Sequence, residues 1–135
     1  MMIGIWSSYS KIVLYFNSTA LILAFCIPLM IAPIKWAKVF RWPIPEHDHL
    51  AVYFGRCLGG VCCILALFGF TVMHDSSLLP LFYNLGLVVD IVMIVIHAYG
   101  GIKKIQPITE TIEIIFWISQ VVLGLCFYPG PQITL

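Results

Sequence analysis

Residues 78–99 read LLPLFYNLGLVVDIVMIVIHAY, an apolar run with a single acidic group, Asp90. A helix of about 20 such residues spans the hydrocarbon core of a bilayer. Three further runs have similar length and composition, at about residues 12–34, 50–73 and 108–128. Short loops separate the four runs, and short loops place consecutive helices antiparallel. The pattern predicts an all-α integral membrane protein that forms an antiparallel four-helix transmembrane bundle.

The composition of the whole chain excludes other classes of protein. Its 135 residues are 61% hydrophobic and 10% charged, with a mean hydropathy of +1.03. A soluble domain carries about a quarter charged residues, and a disordered chain is polar and charged. The net charge of +1 offers no basic surface for nucleic acid. We therefore expect one membrane domain over residues 1–135, with the lipid bilayer as its surroundings.

The distribution of basic residues predicts the orientation of the chain. Cytoplasmic loops carry an excess of lysine and arginine. The basic residues of the first and third loops are Lys35, Lys38, Arg41, Lys103 and Lys104. The opposite side has only Lys11 and a short loop at His74-Asp75. We expect both termini outside a bacterial plasma (inner) membrane, with the first apolar run retained because it is longer than the core of a signal peptide.

Polar side chains inside the predicted spans mark a candidate site, because ionisable groups are costly in lipid. These residues are Arg56, Asp90, His97, Glu113 and Gln120. By helix rise, the four ionisable groups lie about 4 to 15 Å from the predicted cytoplasmic helix ends. Helical spacing places Asp90 and His97 on one face, and Glu113 and Gln120 on another. We predict that the five residues form a polar intramembrane cluster.

Three interpretations of this cluster are open. In the first, Arg56 pairs with Glu113 or Asp90 and fixes how the helices pack. Gly55 and Gly59 would then leave room for a neighbouring helix beside Arg56. In the second, the cluster binds a quinone-like or other small head group, or relays protons. In the third, Arg56 and Glu113 reach the membrane interface separately.

The sequence pattern indicates neither a catalytic residue nor a metal site. A membrane haem needs an axial histidine inside a span. His97 is the candidate, with His49 at the same membrane edge, whereas His47 and His49 point to different faces. The GxSxG, HExxH, Walker and GxGxxG motifs are absent from the sequence. We expect no metal and no cofactor, with quinone and haem as the alternatives.

Two segments carry a family resemblance. Residues 50–60 read LAVYFGRCLGG, with an arginine and glycines opening the second of four short spans. They resemble small bacterial four-helix membrane proteins of the DoxX-like kind. Residues 106–113, QPITETIE, resemble a helix entry in an uncharacterised bacterial family. DoxX-like proteins are similar to subunits of quinone-linked membrane oxidoreductases, which implies an accessory or quinone-near role and carries over no catalytic residue.

Two functions are compatible with these observations. We predict a non-catalytic accessory or scaffold subunit that packs by its lipid-facing surface against other integral membrane subunits. The alternative is a membrane redox module that binds a quinone, a lipid or a proton through the cluster of arginine, aspartate, glutamate and histidine.

Overall fold

The computed structural model describes residues 3–130, and their regular structure is helical, with no strand. Four helices in it are long and apolar enough to cross a membrane: Ser7–Ile31, His49–Val72, Leu79–Lys103 and Ile108–Cys126. The first consists of a 3₁₀ turn Ser7–Tyr9, α1 Ser10–Leu21, a π-helical segment Ile22–Cys26 and α2 Ile27–Ile31. A short helix α3, Pro33–Val39, follows it, and the other three are α4, α5 and α6. The chain therefore has the helices of a multi-pass membrane protein.

The first long helix ends at Ile31, earlier than the predicted boundary at residue 34. Proline disfavours a helical backbone at the residue before it. Ala32 precedes Pro33 and adopts φ −140° and ψ 60°, outside the helical region. The chain turns there, and α3, which holds Lys35 and Lys38, begins at Pro33.

A second proline lies inside this helix and leaves a backbone acceptor free. Pro28 has no N–H to donate to the carbonyl of Ala24, four residues earlier. The indole Nε1 of Trp36 donates to that carbonyl oxygen at 3.2 Å. Because Trp36 lies in α3, this hydrogen bond also fixes α3 against the helix that precedes it.

Helix α5 continues to Lys103, beyond the predicted end at residue 99. The glycines at 100 and 101 do not terminate it. A Cβ on Gly101 would lie 3.0 Å from Cγ2 of Thr111 in α6, and a Cβ on Gly100 would collide with the side chain of Gln106. These glycines allow close approach of the next segment, and the helix ends instead where Lys104 adopts φ 54°.

The long helices pack as two pairs. In each pair, residues early in one helix lie beside residues late in the other. Gly69 of α4 lies beside Leu14 of α1, whereas Gly55 lies beside Pro33. In the second pair, Gly101 of α5 lies beside Thr111, and Leu87 lies beside Gly124 of α6. Contacts between α4 and α5 are sparse. The first two long helices form one hairpin, and α5 and α6 form the other.

The two ends of the molecule differ in chemistry. One end holds the apolar core, formed by the buried side chains of Leu14, Val72, Leu79 and Tyr83. The hydroxyl of Tyr83 donates to the carbonyl of Ser10 at 2.8 Å and closes this end. At the other end, the last turns of α5 meet the first turns of α6, and the buried side chains there are polar.

Candidate functional site

Three titratable side chains meet where α5 ends and α6 begins. Nε2 of His97 lies 3.3 Å from Oε2 of Glu110 and 3.6 Å from Oε2 of Glu113. The two glutamates are three residues apart and so share one face of α6. The exposed fractions of the side chains are 5% for His97, 12% for Glu110 and 27% for Glu113. We call these residues the His97 cluster.

Small residues and one glutamine bring the two helices together at the cluster. Gln106, in the turn between α5 and α6, donates from Nε2 to the carbonyl of His97 at 2.9 Å and to Oγ1 of Thr111 at 3.0 Å. It occupies the space beside Gly100, where a Cβ would exclude it. The turn is therefore tied to both helices, and His97 is held opposite the first turns of α6.

A backbone hydrogen bond fixes the orientation of the His97 ring. Nδ1 lies 2.7 Å from the carbonyl oxygen of Met93. A carbonyl oxygen only accepts, so Nδ1 is the atom that donates. In a neutral ring the proton is then on Nδ1, and Nε2 presents a lone pair to the two carboxylates.

The first loop covers the cluster from the side of α6. The indole Nε1 of Trp42 donates to Oε1 of Glu110 at 2.7 Å. The hydroxyl of Thr109 donates to the carbonyl of Phe40. These two contacts attach the loop after α3 to the start of α6, and they leave Oε2 of Glu110 directed at His97.

The cluster has the chemistry of a cation site. Its three facing atoms are one ring nitrogen and two carboxylate oxygens, and the two distances from the nitrogen, 3.3 Å and 3.6 Å, exceed the 2.7–3.2 Å of an N–H···O hydrogen bond. In the described part of the chain no lysine or arginine lies within 4.0 Å of either carboxylate. With both carboxylates ionised, a proton among the three atoms would reduce their negative charge by one, and a divalent metal ion would neutralise it.

The structure brings together two of the five residues predicted for the polar cluster, His97 and Glu113. Gln120 lies farther along α6 and accepts from Nδ2 of Asn17 at 3.4 Å, so it links α6 to α1. Asp90 is half-buried on α5, about 10 Å from His97 by helix rise. Within residues 3–130 it has neither an ion pair nor a side-chain hydrogen bond.

The predicted ion pair of Arg56 with Glu113 or Asp90 is absent from the part of the chain that the structure describes. Arg56 is exposed. The pair does not form because the glycines near Arg56 pack against another part of the chain. A Cβ on Gly55 would lie 2.7 Å from Pro33, and a Cβ on Gly59 would lie 2.9 Å from Met30. That face of α4 packs against α2 and the start of α3, and the side chain of Arg56 stays exposed.

Two residues of the site were not predicted as members of it. Glu110 lies on the same face of α6 as Glu113, and the spacing of three residues is the signal that pairs them. Trp42 lies near the end of a predicted span, where tryptophan is common at the membrane interface. No pattern in the sequence indicates that its indole contacts Glu110. His47 and His49 are exposed and do not join the cluster.

Comparison of the chain with known protein families, with curated proteins and with solved structures finds no match. The resemblance to DoxX-like proteins therefore stays a prediction.

Proposed function

We propose that this chain is a non-catalytic accessory subunit of a larger membrane complex, inserted in a bacterial inner membrane as an antiparallel four-helix bundle with both termini outside. The observation that carries the proposal is Arg56, an exposed cation on a membrane-spanning helix with no carboxylate partner among residues 3–130.

The position of Arg56 makes a partner energetically valuable. Counted from the start of α4 at His49, it lies about 10 Å into the helix. An unpaired charge at that depth is costly in lipid, and such residues pair with other groups in membrane proteins. Its neighbours Tyr53 and Phe54 are also exposed, so the arginine projects from an apolar surface.

A glycine one turn farther along α4 provides room for the partner. A Cβ on Gly60 would have no heavy atom within 4 Å, whereas the adjacent Gly59 is packed against α2. Glycine lets the backbone of another membrane helix approach closely. Arg56 and Gly60 are four residues apart and lie on one face, so we propose that this face takes a partner helix that carries an aspartate or glutamate opposite Arg56.

Extraction in a mild detergent followed by native gel electrophoresis tests the proposal. We expect the wild-type chain to migrate with partner subunits, and Arg56→Leu to release it. Lys103→Leu is the matched control, because it removes an exposed cation from the other hairpin. Co-migration that persists in Arg56→Leu would contradict the proposal, and migration as an oligomer of this chain alone would assign the face to a second copy.

The His97 cluster favours a second candidate function, the binding of a cation at the membrane edge. The ring nitrogen and the two carboxylates offer acceptor atoms, and a quinone carbonyl is itself an acceptor. The cluster therefore suits a cation better than a quinone head group. Variants of Arg56 and variants of the cluster test the two functions separately.

A further inference from the structure

We propose that His97, Glu110 and Glu113 bind one divalent transition-metal ion of the zinc class. The proposal names the ligand of the second candidate function, the cation-binding site, and is independent of the Arg56 face. One atom from each residue, Nε2 or a carboxylate oxygen, lies within 4.8 Å of the other two. Imidazole and carboxylate are both ligands that zinc accepts in proteins.

The distances suit metal coordination better than direct hydrogen bonding. Two ligands that each lie about 2.1 Å from a tetrahedral zinc ion are about 3.4 Å apart. The two separations from Nε2 of His97 are 3.3 Å and 3.6 Å. Glu113 is the most exposed of the three side chains, so its carboxylate is free to adjust toward an ion.

Two of the three ligands already have the hydrogen bonds that support metal ligands. A metal-binding histidine usually donates its other ring N–H to a carbonyl or carboxylate, which fixes the tautomer. His97 does this through Nδ1 and the carbonyl of Met93. Glu110 accepts from Trp42 with Oε1 and directs Oε2 at the site. The orientation of Nε2 and Oε2 is therefore set before an ion binds.

Charge balance supports a divalent ion in particular. Two carboxylates and a neutral imidazole carry a charge of −2, and the nearest basic side chains of residues 3–130 are beyond 4.0 Å. A divalent cation neutralises the cluster in surroundings where an uncompensated charge is costly. Magnesium requires octahedral oxygen ligation and retains its water, so the imidazole favours a zinc-class ion.

A buried donor lies beside the cluster. Trp117 follows Glu113 by one turn of α6, and its ring centroid lies 6.0 Å from that of His97. Its Nε1 is buried and has no acceptor within the described chain. A buried polar atom without a partner is uncommon in proteins.

Isothermal titration calorimetry of the purified chain in detergent tests the site with zinc chloride. We expect one zinc per chain, no comparable binding of magnesium, and an affinity at least tenfold lower for His97→Gln and Glu113→Gln. Trp42→Phe should lower the affinity by about 10-fold, the lower limit for removing a hydrogen bond to a metal ligand. Zinc should also raise the unfolding temperature of the wild type, because it binds the folded chain.

Controls separate this site from other metal-binding groups. His49→Gln and Glu46→Gln remove exposed residues near the same end of the molecule and should bind zinc as the wild type does. Cobalt(II), used as a spectroscopic probe, should show no thiolate charge-transfer band, which excludes the cysteines as ligands. Far-ultraviolet circular dichroism checks that each variant is folded, and Glu113→Gln is the variant at the least buried ligand.

The outcomes decide the proposal. Binding of zinc that is lost in both cluster variants and kept in both controls supports it. Absence of binding by the wild type would overturn it, as would equal binding by Glu113→Gln and the wild type. Neither result would affect the test with Arg56.

Discussion

At the scale of single residues, the hydrogen bond between Trp42 and Glu110 holds two segments together at the polar end of the molecule. It joins the first loop to α6 at 2.7 Å, and Glu110 is buried. We predict that Trp42→Phe destabilises the chain by about 1.5–3 kcal/mol, the scale of a hydrogen bond to a charged group. Thermal unfolding in detergent measures the change.

A matched control separates the lost hydrogen bond from the loss of an indole ring. Trp6→Phe replaces an exposed tryptophan at the other end, where the rings of Trp6 and Phe127 lie tilted to each other with centroids 5.3 Å apart. We expect a smaller loss for that variant. Equal losses in the two variants would show that the contact with Glu110 does not contribute.

The residues of the site were predictable in part. The cost of ionisable groups in a span singles out His97 and Glu113, whatever the fold. The pairing of Arg56 was wrong because spacing gives the face of a helix but not which neighbour that face meets. Gly55 and Gly59 do allow close approach beside Arg56, as predicted, but the segment that approaches is Pro33 with α2.

At the scale of helices, adjacent glycines in α4 have opposite roles. A Cβ on Gly59 would lie 3.0 Å from the carbonyl oxygen of Cys26, a backbone atom that cannot move without shifting α2. We predict that Gly59→Ala destabilises the chain by about 1–3 kcal/mol, the usual cost of overpacking. Gly60→Ala, where a Cβ meets open space, should be neutral or stabilising because alanine is the better helix former.

Denaturation of the two variants in the same detergent gives the comparison. A similar loss in both would mean that α2 and α4 are not in close contact at Gly59. The prediction applies to the isolated chain. In an assembly held by the Arg56 face, Gly60→Ala should also weaken association with the partner helix.

The bounds of the helices show where sequence patterns are decisive and where they are not. Pro33 stops the first long helix through its effect on Ala32, a local rule that needs no tertiary information. Glycine often ends a helix, and yet α5 runs through Gly100 and Gly101 to Lys103. Glycine serves both as a terminator and as a site of close approach, and only the position of Gln106 and Thr111 decides between the two.

At the scale of the whole molecule, the chain has one apolar and one polar end, and the backbone shows which segments share them. The N–H of Gly4 donates to the carbonyl of Leu125 at 2.9 Å, and that of Trp6 donates to Cys126 at 3.0 Å. The start of the first long helix and the end of α6 thus meet at the apolar end. The first loop and the start of α6 meet at the polar end, through Trp42 and Glu110.

This arrangement makes the orientation testable with a single protease. The exposed basic residues Lys35, Lys38, Lys103 and Lys104 all belong to the loops or helix ends of the polar end. If those loops are cytoplasmic, as the excess of basic residues predicts, trypsin added to inverted membrane vesicles should cut there. Right-side-out vesicles should protect the same sites and leave only Lys11 accessible to trypsin. Cleavage at residues 35–41 or 103–104 from the outside alone would reverse the orientation. The His97 cluster would then lie at the outer face of the membrane.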